Sequence, residues 1–192
     1  MPPIVLGSSS PFRKQLLHKL FDHFETCSPD IDETPLPGET PDQLVRRLAL
    51  AKAQAVAAQK PNTLIITSDQ VSVLNGKING KPGNFENAFE QLKKSSGNSV
   101  TFFTSVCLYD ARTANHQLDV ETFTVHFRKL SDAQITRYLQ KETPFNCAGS
   151  FKSEGFGITL FSALEGRDPN TLIGLPLIRL VGMFAAIGIE LP

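Results

Sequence analysis

The stretch TPDQLVRRLALAKAQAVAAQKPNTLIITSDQ, residues 40–70, decides the fold class. Its first four residues have the pattern of a capping box with proline at the first helical position, which predicts a helix over residues 40–59. A short apolar run, residues 63–67, follows and is expected to form a buried strand. A helix joined by a short loop to a buried strand is typical of α/β proteins.

Strands and helices also alternate on both sides of this stretch. Residues 4–7 are expected to form a short buried strand, followed by a helix over residues 10–21. Two long runs rich in valine, threonine and phenylalanine, residues 99–109 and 118–128, indicate a large hairpin. Because hairpin strands are antiparallel, we predict an α/β fold with a mixed sheet and flanking helices. Further strands are expected at residues 24–28, 71–74 and 157–161, with helices at residues 84–95, 131–142 and 176–187.

Composition limits the class of protein. With 192 residues the chain suits one domain, or two lobes that share a cleft. Lysine plus arginine and aspartate plus glutamate number 19 each, so no net charge favours nucleic acid or a membrane surface. Three cysteines are too few for a disulfide framework, and no window approaches the roughly 18 apolar residues of a membrane span. We therefore expect a cytoplasmic protein.

Two basic side chains are candidates for binding an anion. In GSSSPFRK, residues 7–14, a strand ends and a helix begins, so backbone N–H groups and Arg13 could meet a phosphate. An ordinary capped helix start explains this pattern equally well. Lys52 falls on the apolar side of its predicted helix, at about 100° per residue. It must either extend its ammonium group to water or meet an anion.

Carboxylates and a further lysine lie in the predicted loops. Asp69 directly follows a buried strand, a common place for a site in α/β proteins, although such an aspartate often only caps a turn. Asp30, Asp32 and Glu33 could supply oxygen ligands for Mg²⁺, or could form a solvated acidic loop. Lys81 lies between glycine and proline at a loop tip, as a phosphate contact or as a plain surface turn.

The ordered set of motifs GSSSPFRK, DIDETP, LALAKA, SDQV, GKP, GSFKSEGFGI and GLPL resembles the Maf family of nucleoside triphosphate pyrophosphatases. The resemblance covers nearly the whole chain, as a single Maf-like domain over residues 1–192. It implies an elongated fold of two lobes around a central cleft, of the kind shared with inosine triphosphatases. It also implies a divalent cation (Mg²⁺, Mn²⁺ or Co²⁺), a nucleotide substrate and a homodimer. From the balanced charge and the composition we expect no nucleic acid or membrane partner.

The resemblance also implies a role for each matching residue. Asp69 would accept the proton of the attacking water, and Glu33 would bind or orient the metal together with Asp69. The triphosphate would be held by Arg13, Lys52 and Lys81, with hydroxyl or backbone contacts from Ser8 and Ser9. The base would be chosen by Phe12, Gln70 and Glu154.

Within the family, SDQV, GSFKSEGFGITLF and LEGRDPNTLIGLPL are most similar to the subgroup that hydrolyses 7-methyl-GTP. A cationic methylated guanine would stack on Phe12, and Glu154 could accept two donors from the guanine edge. Phe12 stands where this subgroup is expected to have tryptophan, so the preference over plain GTP is expected to be weaker. Lys152 is close enough in sequence to assist Glu154 or the phosphates. Hydrolysis of dTTP or UTP, and a non-catalytic nucleotide-binding regulator linked to septum formation, are the alternatives.

Overall fold

The computed structural model describes residues 1–191, in which strands and helices alternate as an α/β fold. The strands are β1 (Ile4–Leu6), β2 (Glu25–Thr26), β3 (Leu64–Thr67), β4 (Gln70–Leu74), β5 (Lys77–Asn79), β6 (Ser99–Asp110), β7 (His116–Phe127) and β8 (Phe161–Gly166). The helices are α1 (Pro11–Leu17), α2 (Pro41–Ala57), α3 (Phe85–Ser95), α4 (Asp132–Glu142), α5 (Pro169–Ile173) and α6 (Leu177–Ala186). Within the described residues no helix is both long enough and apolar enough to cross a membrane.

The sheet contains both parallel and antiparallel pairs. Its strands run in the order β2-β1-β3-β6-β4-β5, and β7 pairs with both β6 and β8. β1 is parallel to β2 and to β3, whereas β3 and β6 are antiparallel. The prediction of a mixed sheet with flanking helices is therefore confirmed.

By its internal contacts the chain forms two compact units. The first unit comprises Met1–Asp69, Thr104–Glu121 and the segment from Gly174 onward. The second unit comprises Gln70–Phe103 and Thr122–Ile173. Each unit is built from segments distant in sequence, so its core depends on long-range contacts that local sequence patterns do not predict.

The first unit is organised by α2 and the strands β1 and β3. The predicted capping box is present, since the Thr40 hydroxyl accepts from the backbone N–H of Gln43 and the Gln43 side chain accepts from the N–H of Thr40. The buried face of α2 combines leucine and valine side chains with Ala49 and Ala53, whose small size allows close packing where they lie. A core cluster of this unit contains Val5, Ala49, Ala53, Val56, Ile65, Cys107 and Tyr109.

The second unit has a separate core rich in aromatic side chains. The turn between β4 and β5 places Asn75 and Gly76 at φ values of 50° and 75°, which an Asn-Gly pair in a two-residue hairpin turn readily adopts. Helices α3 and α4, whose N-caps are Asn84 and Ser131, pack against each other and against this core. Its buried aromatic residues are Phe102, Phe123, Phe127, Tyr138 and Phe151.

Three predicted element boundaries were wrong. The strand expected at residues 157–161 is instead a 3-10 turn, Phe156–Leu160, and β8 begins at Phe161. In this segment the N–H of Gly157 donates to the Lys152 carbonyl, so a local hydrogen bond replaces a ladder bond. The first helix ends at Leu17 rather than at residue 21, and the second strand contracts to Glu25–Thr26. Apolar periodicity alone does not distinguish such turns from short strands.

Candidate active site

Lys52 lies between two carboxylates of the first unit. Its Nζ atom is 2.7 Å from Oε1 of Glu33 and 2.6 Å from Oδ1 of Asp69. The side chains of Lys52 and Asp69 are 7% and 10% exposed, whereas that of Glu33 is 55% exposed. Of the two alternatives for Lys52, the ammonium group therefore contacts anions in a largely buried position. Glu33 forms the solvent-facing side of this group of charges.

The backbone of Asp69 is held by Ser105 on β6. The N–H of Asp69 donates to Oγ of Ser105 at 2.9 Å, and the N–H of Ser105 donates to the carbonyl of Asp69 at 2.9 Å. Two residues before Asp69, at the end of β3, the Thr67 hydroxyl donates to the carbonyl of Ala49 on α2 at 2.7 Å. These bonds fix the end of β3 against the helix that carries Lys52. No sequence pattern distinguished Ser105, because Ser99, Thr101 and Thr104 of β6 are also small polar residues.

Arg13 reaches the same group of charges from α1. Its Nε donates to the carbonyl of Gly174 at 2.8 Å, and the Ser68 hydroxyl donates to that same carbonyl at 2.8 Å. Loss of hydration lowers the pKa of Arg13, and the nearby carboxylates of Asp69 and Glu33 oppose this effect. The guanidinium is thus within electrostatic range of both carboxylates. Gly174 belongs to the motif GLPL, but no residue pattern indicated its contact with Arg13.

The serines before α1 shape the start of that helix. Oγ of Ser8 accepts from the N–H of Ser10 at 3.1 Å, and Oγ of Ser10 accepts from the N–H of Arg13 at 3.3 Å. Ser8 is buried and Ser9 is exposed, while Phe12 is half-buried on α1. The hydroxyl bonds therefore account for the local turn. Phosphate contacts by Ser8 and Ser9, and base stacking by Phe12, stay predictions.

The remaining predicted site residues belong to the second unit. The side-chain amide of Gln70 donates to the carbonyls of Thr171 and Leu172 at 2.9 and 3.2 Å, which holds it in place. Lys81 and Glu154 are both exposed. Burial raises the pKa of the half-buried thiol of Cys147, and the charges of Lys81 and Glu154 also act on it with opposite signs. Lys81 and Glu154 thus both lie within electrostatic range of the Cys147 thiol.

Lys152 supports the end of α4 rather than Glu154. Its Nζ atom donates to the carbonyl of Glu142 at 2.8 Å and lies 3.6 Å from the Glu142 carboxylate. Its backbone N–H donates to the hydroxyl of Tyr138 at 3.0 Å, and the N–H of Phe156 donates to the Glu142 carboxylate at 2.7 Å. A lysine at a helix C-terminus interacts favourably with the final carbonyls. The sequence left the orientation of Lys152 open, and in the structure its ammonium group is directed to the end of α4.

The carboxylates of Glu33 and Asp69 are suited to a hard divalent cation. Within residues 1–191 no group of three or more histidine, cysteine, aspartate or glutamate side chains could hold a metal ion. Mg²⁺ does not require such a group, since it is commonly bound by one or two carboxylates together with substrate phosphates and water. The two carboxylates that flank Lys52 provide that kind of donor set.

Comparison with known protein families agrees with this arrangement. The family model described as Maf-like protein matches residues 3–187. The matched range includes every residue of the charged group in the first unit and every predicted site residue of the second. Because the match extends over nearly the entire chain, this protein belongs to the Maf-like protein family.

Proposed function

We propose that this protein is a nucleoside triphosphate pyrophosphatase that splits the α–β phosphoanhydride to a nucleoside monophosphate and pyrophosphate. The observation that carries the proposal is the contact of buried Lys52 with both Asp69 and Glu33. Membership of the Maf-like family supports the same class of reaction. A structural ion pair needs only one carboxylate, whereas two carboxylates around one lysine, with an arginine nearby, suit a phosphate-processing site.

The reaction requires a positioned water, a base and positive charge on the phosphate oxygens. Asp69 is the proposed base, since its backbone is fixed by Ser105 and its carboxylate is largely shielded from solvent. In the proposal Arg13 and Lys52 attract the phosphate oxygens, and Lys81 contributes a third cation. A divalent cation (Mg²⁺, Mn²⁺ or Co²⁺) held by Glu33 and Asp69 would supply further positive charge there. Water adds its oxygen to phosphorus, its proton passes to Asp69, and the bridging oxygen leaves with the pyrophosphate.

The proposed substrate is 7-methyl-GTP. A methylated guanine carries positive charge, so an aromatic face such as Phe12 attracts it beyond ordinary stacking. Glu154 is exposed and ionisable, and a carboxylate can accept both donors of a guanine edge, which uracil and thymine do not offer. Gln70 is the third residue assigned to base selection. These three roles rest on the resemblance of the motifs and on side-chain chemistry.

The test is pyrophosphate release from a panel of 7-methyl-GTP, GTP, dTTP, UTP and CTP with Mg²⁺, Mn²⁺ or Co²⁺. We expect turnover of at least one nucleotide, with 7-methyl-GTP preferred, and loss of turnover in Asp69→Asn. The matched control is Asp22→Asn, because Asp22 is an exposed aspartate of the same unit. Full activity of Asp69→Asn would exclude the proposed base. Binding of triphosphate without turnover would instead favour the regulatory alternative, and preference for dTTP or UTP would change the substrate.

A further inference from the structure

The acidic loop that carries Glu33 is tied to α2 at two points. Residues 27–40 contain no regular helix or strand, so their own backbone bonds do not hold Glu33 in place. Lys52 binds the Glu33 carboxylate at 2.7 Å. The next residue, Thr34, accepts a hydrogen bond at its carbonyl from a terminal nitrogen of Arg47 at 3.1 Å. Lys52 and Arg47 both belong to α2, so one rigid helix holds two consecutive loop residues.

Arg47 also forms a bidentate pair with Glu39, near the C-terminal end of the loop. Its Nε donates to Oε1 of Glu39 at 2.6 Å, and a terminal nitrogen donates to Oε2 at 2.8 Å. This bidentate pair has a carboxylate that is only 7% exposed. The second oxygen of Glu39 further accepts from the N–H of Leu36 at 3.0 Å. Two parallel charge-assisted bonds define both distance and orientation, which a single flexible contact does not.

The contact of Lys52 with Glu33 and that of Arg47 with Thr34 are expected to respond differently to bound substrate. Lys52 contacts Glu33 and Asp69, and it is also a proposed phosphate ligand, so phosphate oxygens compete for its ammonium group. Arg47 instead donates hydrogen bonds to the loop, at Thr34 and Glu39. When Lys52 turns toward a phosphate, the hold of Arg47 on Thr34 still restricts where Glu33 can lie.

We propose that Arg47, acting through Glu39 and the Thr34 carbonyl, is a positioning residue that keeps the Glu33 carboxylate in place for the metal and Asp69. The role of Glu33 in this inference rests on the proposed function. The contacts by which Arg47 restrains the loop do not depend on that function. Residues that orient a metal ligand typically change metal affinity or activity by about 10–100-fold when they are replaced.

The experiment compares Arg47→Lys and Glu39→Gln with the matched control Arg46→Lys. Arg46 is the neighbouring arginine of α2, and it pairs with Asp42 and Asp119 instead of the loop. Mn²⁺ binding to the purified full chain is measured by electron paramagnetic resonance, and hydrogen exchange is measured at Thr34 and Leu36. Kinetic constants are measured on the best nucleotide of the panel.

For Arg47→Lys we expect about 10-fold weaker Mn²⁺ binding and at least about 10-fold faster exchange at Leu36, with unchanged exchange in α2. We expect kcat to fall more than KM rises. Glu39→Gln keeps the size of the side chain and gives the same result if Arg47→Lys does not fold.

The inference is overturned if Mn²⁺ affinity and loop exchange in both loop variants match those of Arg46→Lys. If the wild-type protein hydrolyses no nucleotide, the proposed function fails, while metal binding and exchange still decide the role of Arg47.

Discussion

Nζ of Lys52 and Oδ1 of Asp69 are 2.6 Å apart at a position from which both side chains are largely shielded from water. The pair joins the middle of α2 to the end of β3. Glu33, at 2.7 Å, adds a second carboxylate that solvent reaches. One ammonium group therefore contacts two carboxylates, and its removal is expected to have a large energetic effect.

We predict that Lys52→Met destabilises the protein by about 3–5 kcal/mol, because it leaves a shielded carboxylate without its cation. The double variant Lys52→Met/Asp69→Leu should lose less than the sum of its single variants, since it removes both charges. Urea unfolding measures these free energies. Lys60→Met, which removes only a surface pair with Glu25, is the control and should have little effect. Strict additivity in the double variant would show that the two groups are not coupled.

The Arg47–Glu39 pair predicts a specific pH dependence. Hydrogen bonds from Arg47 lower the pKa of Glu39 from its ordinary 4.5 to about 2. A depressed carboxyl pKa stabilises the folded state above the unfolded value, and that contribution is lost as the pH falls from 4.5 toward 2. The free energy of unfolding of wild type minus that of Glu39→Gln should thus be constant near neutral pH and shrink in acid. A difference that is independent of pH would contradict the pairing.

Gly7→Ala should destabilise the first unit by about 1–3 kcal/mol, the usual effect of overpacking. A β-carbon at this position would lie 2.6 Å from Cγ2 of Thr67 and 3.2 Å from Val56. In contrast, Gly182 lies within α6, and a β-carbon there meets nothing within 4 Å. Gly182→Ala should therefore stabilise by about 0.5–1 kcal/mol through helix propensity. In thermal unfolding the melting temperature of Gly7→Ala should fall below that of wild type, and that of Gly182→Ala should rise above it. Equal melting temperatures of the two variants would contradict this prediction.

Lys152→Met should reduce stability by about 0.3–1 kcal/mol while leaving kcat/KM unchanged. The lysine stabilises the C-terminal carbonyl of α4, at Glu142, and does not bind substrate in the proposed mechanism. Urea unfolding and the nucleotide assay provide the two measurements. Loss of activity at full stability would instead show that Lys152 assists substrate binding or catalysis.

Glu154→Gln should reduce discrimination between guanine and uracil nucleotides by roughly 10-fold or more, because one acceptor oxygen becomes a donor. Glu165→Gln, an exposed glutamate of the same unit, is the control. The readout is the ratio of kcat/KM values for 7-methyl-GTP and UTP. If the ranking of nucleotides in Glu154→Gln equals that of wild type, Glu154 does not select the base.

Local sequence patterns predicted those secondary-structure features whose stabilising interactions lie within a few residues. Capping boxes at Thr40 and Ser131 and the turn at Asn75 depend on neighbours within a few residues, so the sequence predicts them directly. The same holds for Lys52, whose place on the apolar side of α2 follows from helical periodicity. The turn at residues 156–160 was missed because its glycine-rich apolar run fits a strand equally well.

The sequence by itself determined the fold class, the apolar side of α2 and the candidate charges at Arg13, Glu33, Lys52 and Asp69. Only the tertiary structure decided between the alternatives left for two lysines: Lys52 meets anions, and Lys152 contacts the end of α4. It also revealed Ser105 and Arg47 as the supports of Asp69 and of the Glu33 loop. The physical reason is that a side-chain partner distant in the chain has no periodicity, and its identity depends on how strands and helices pack.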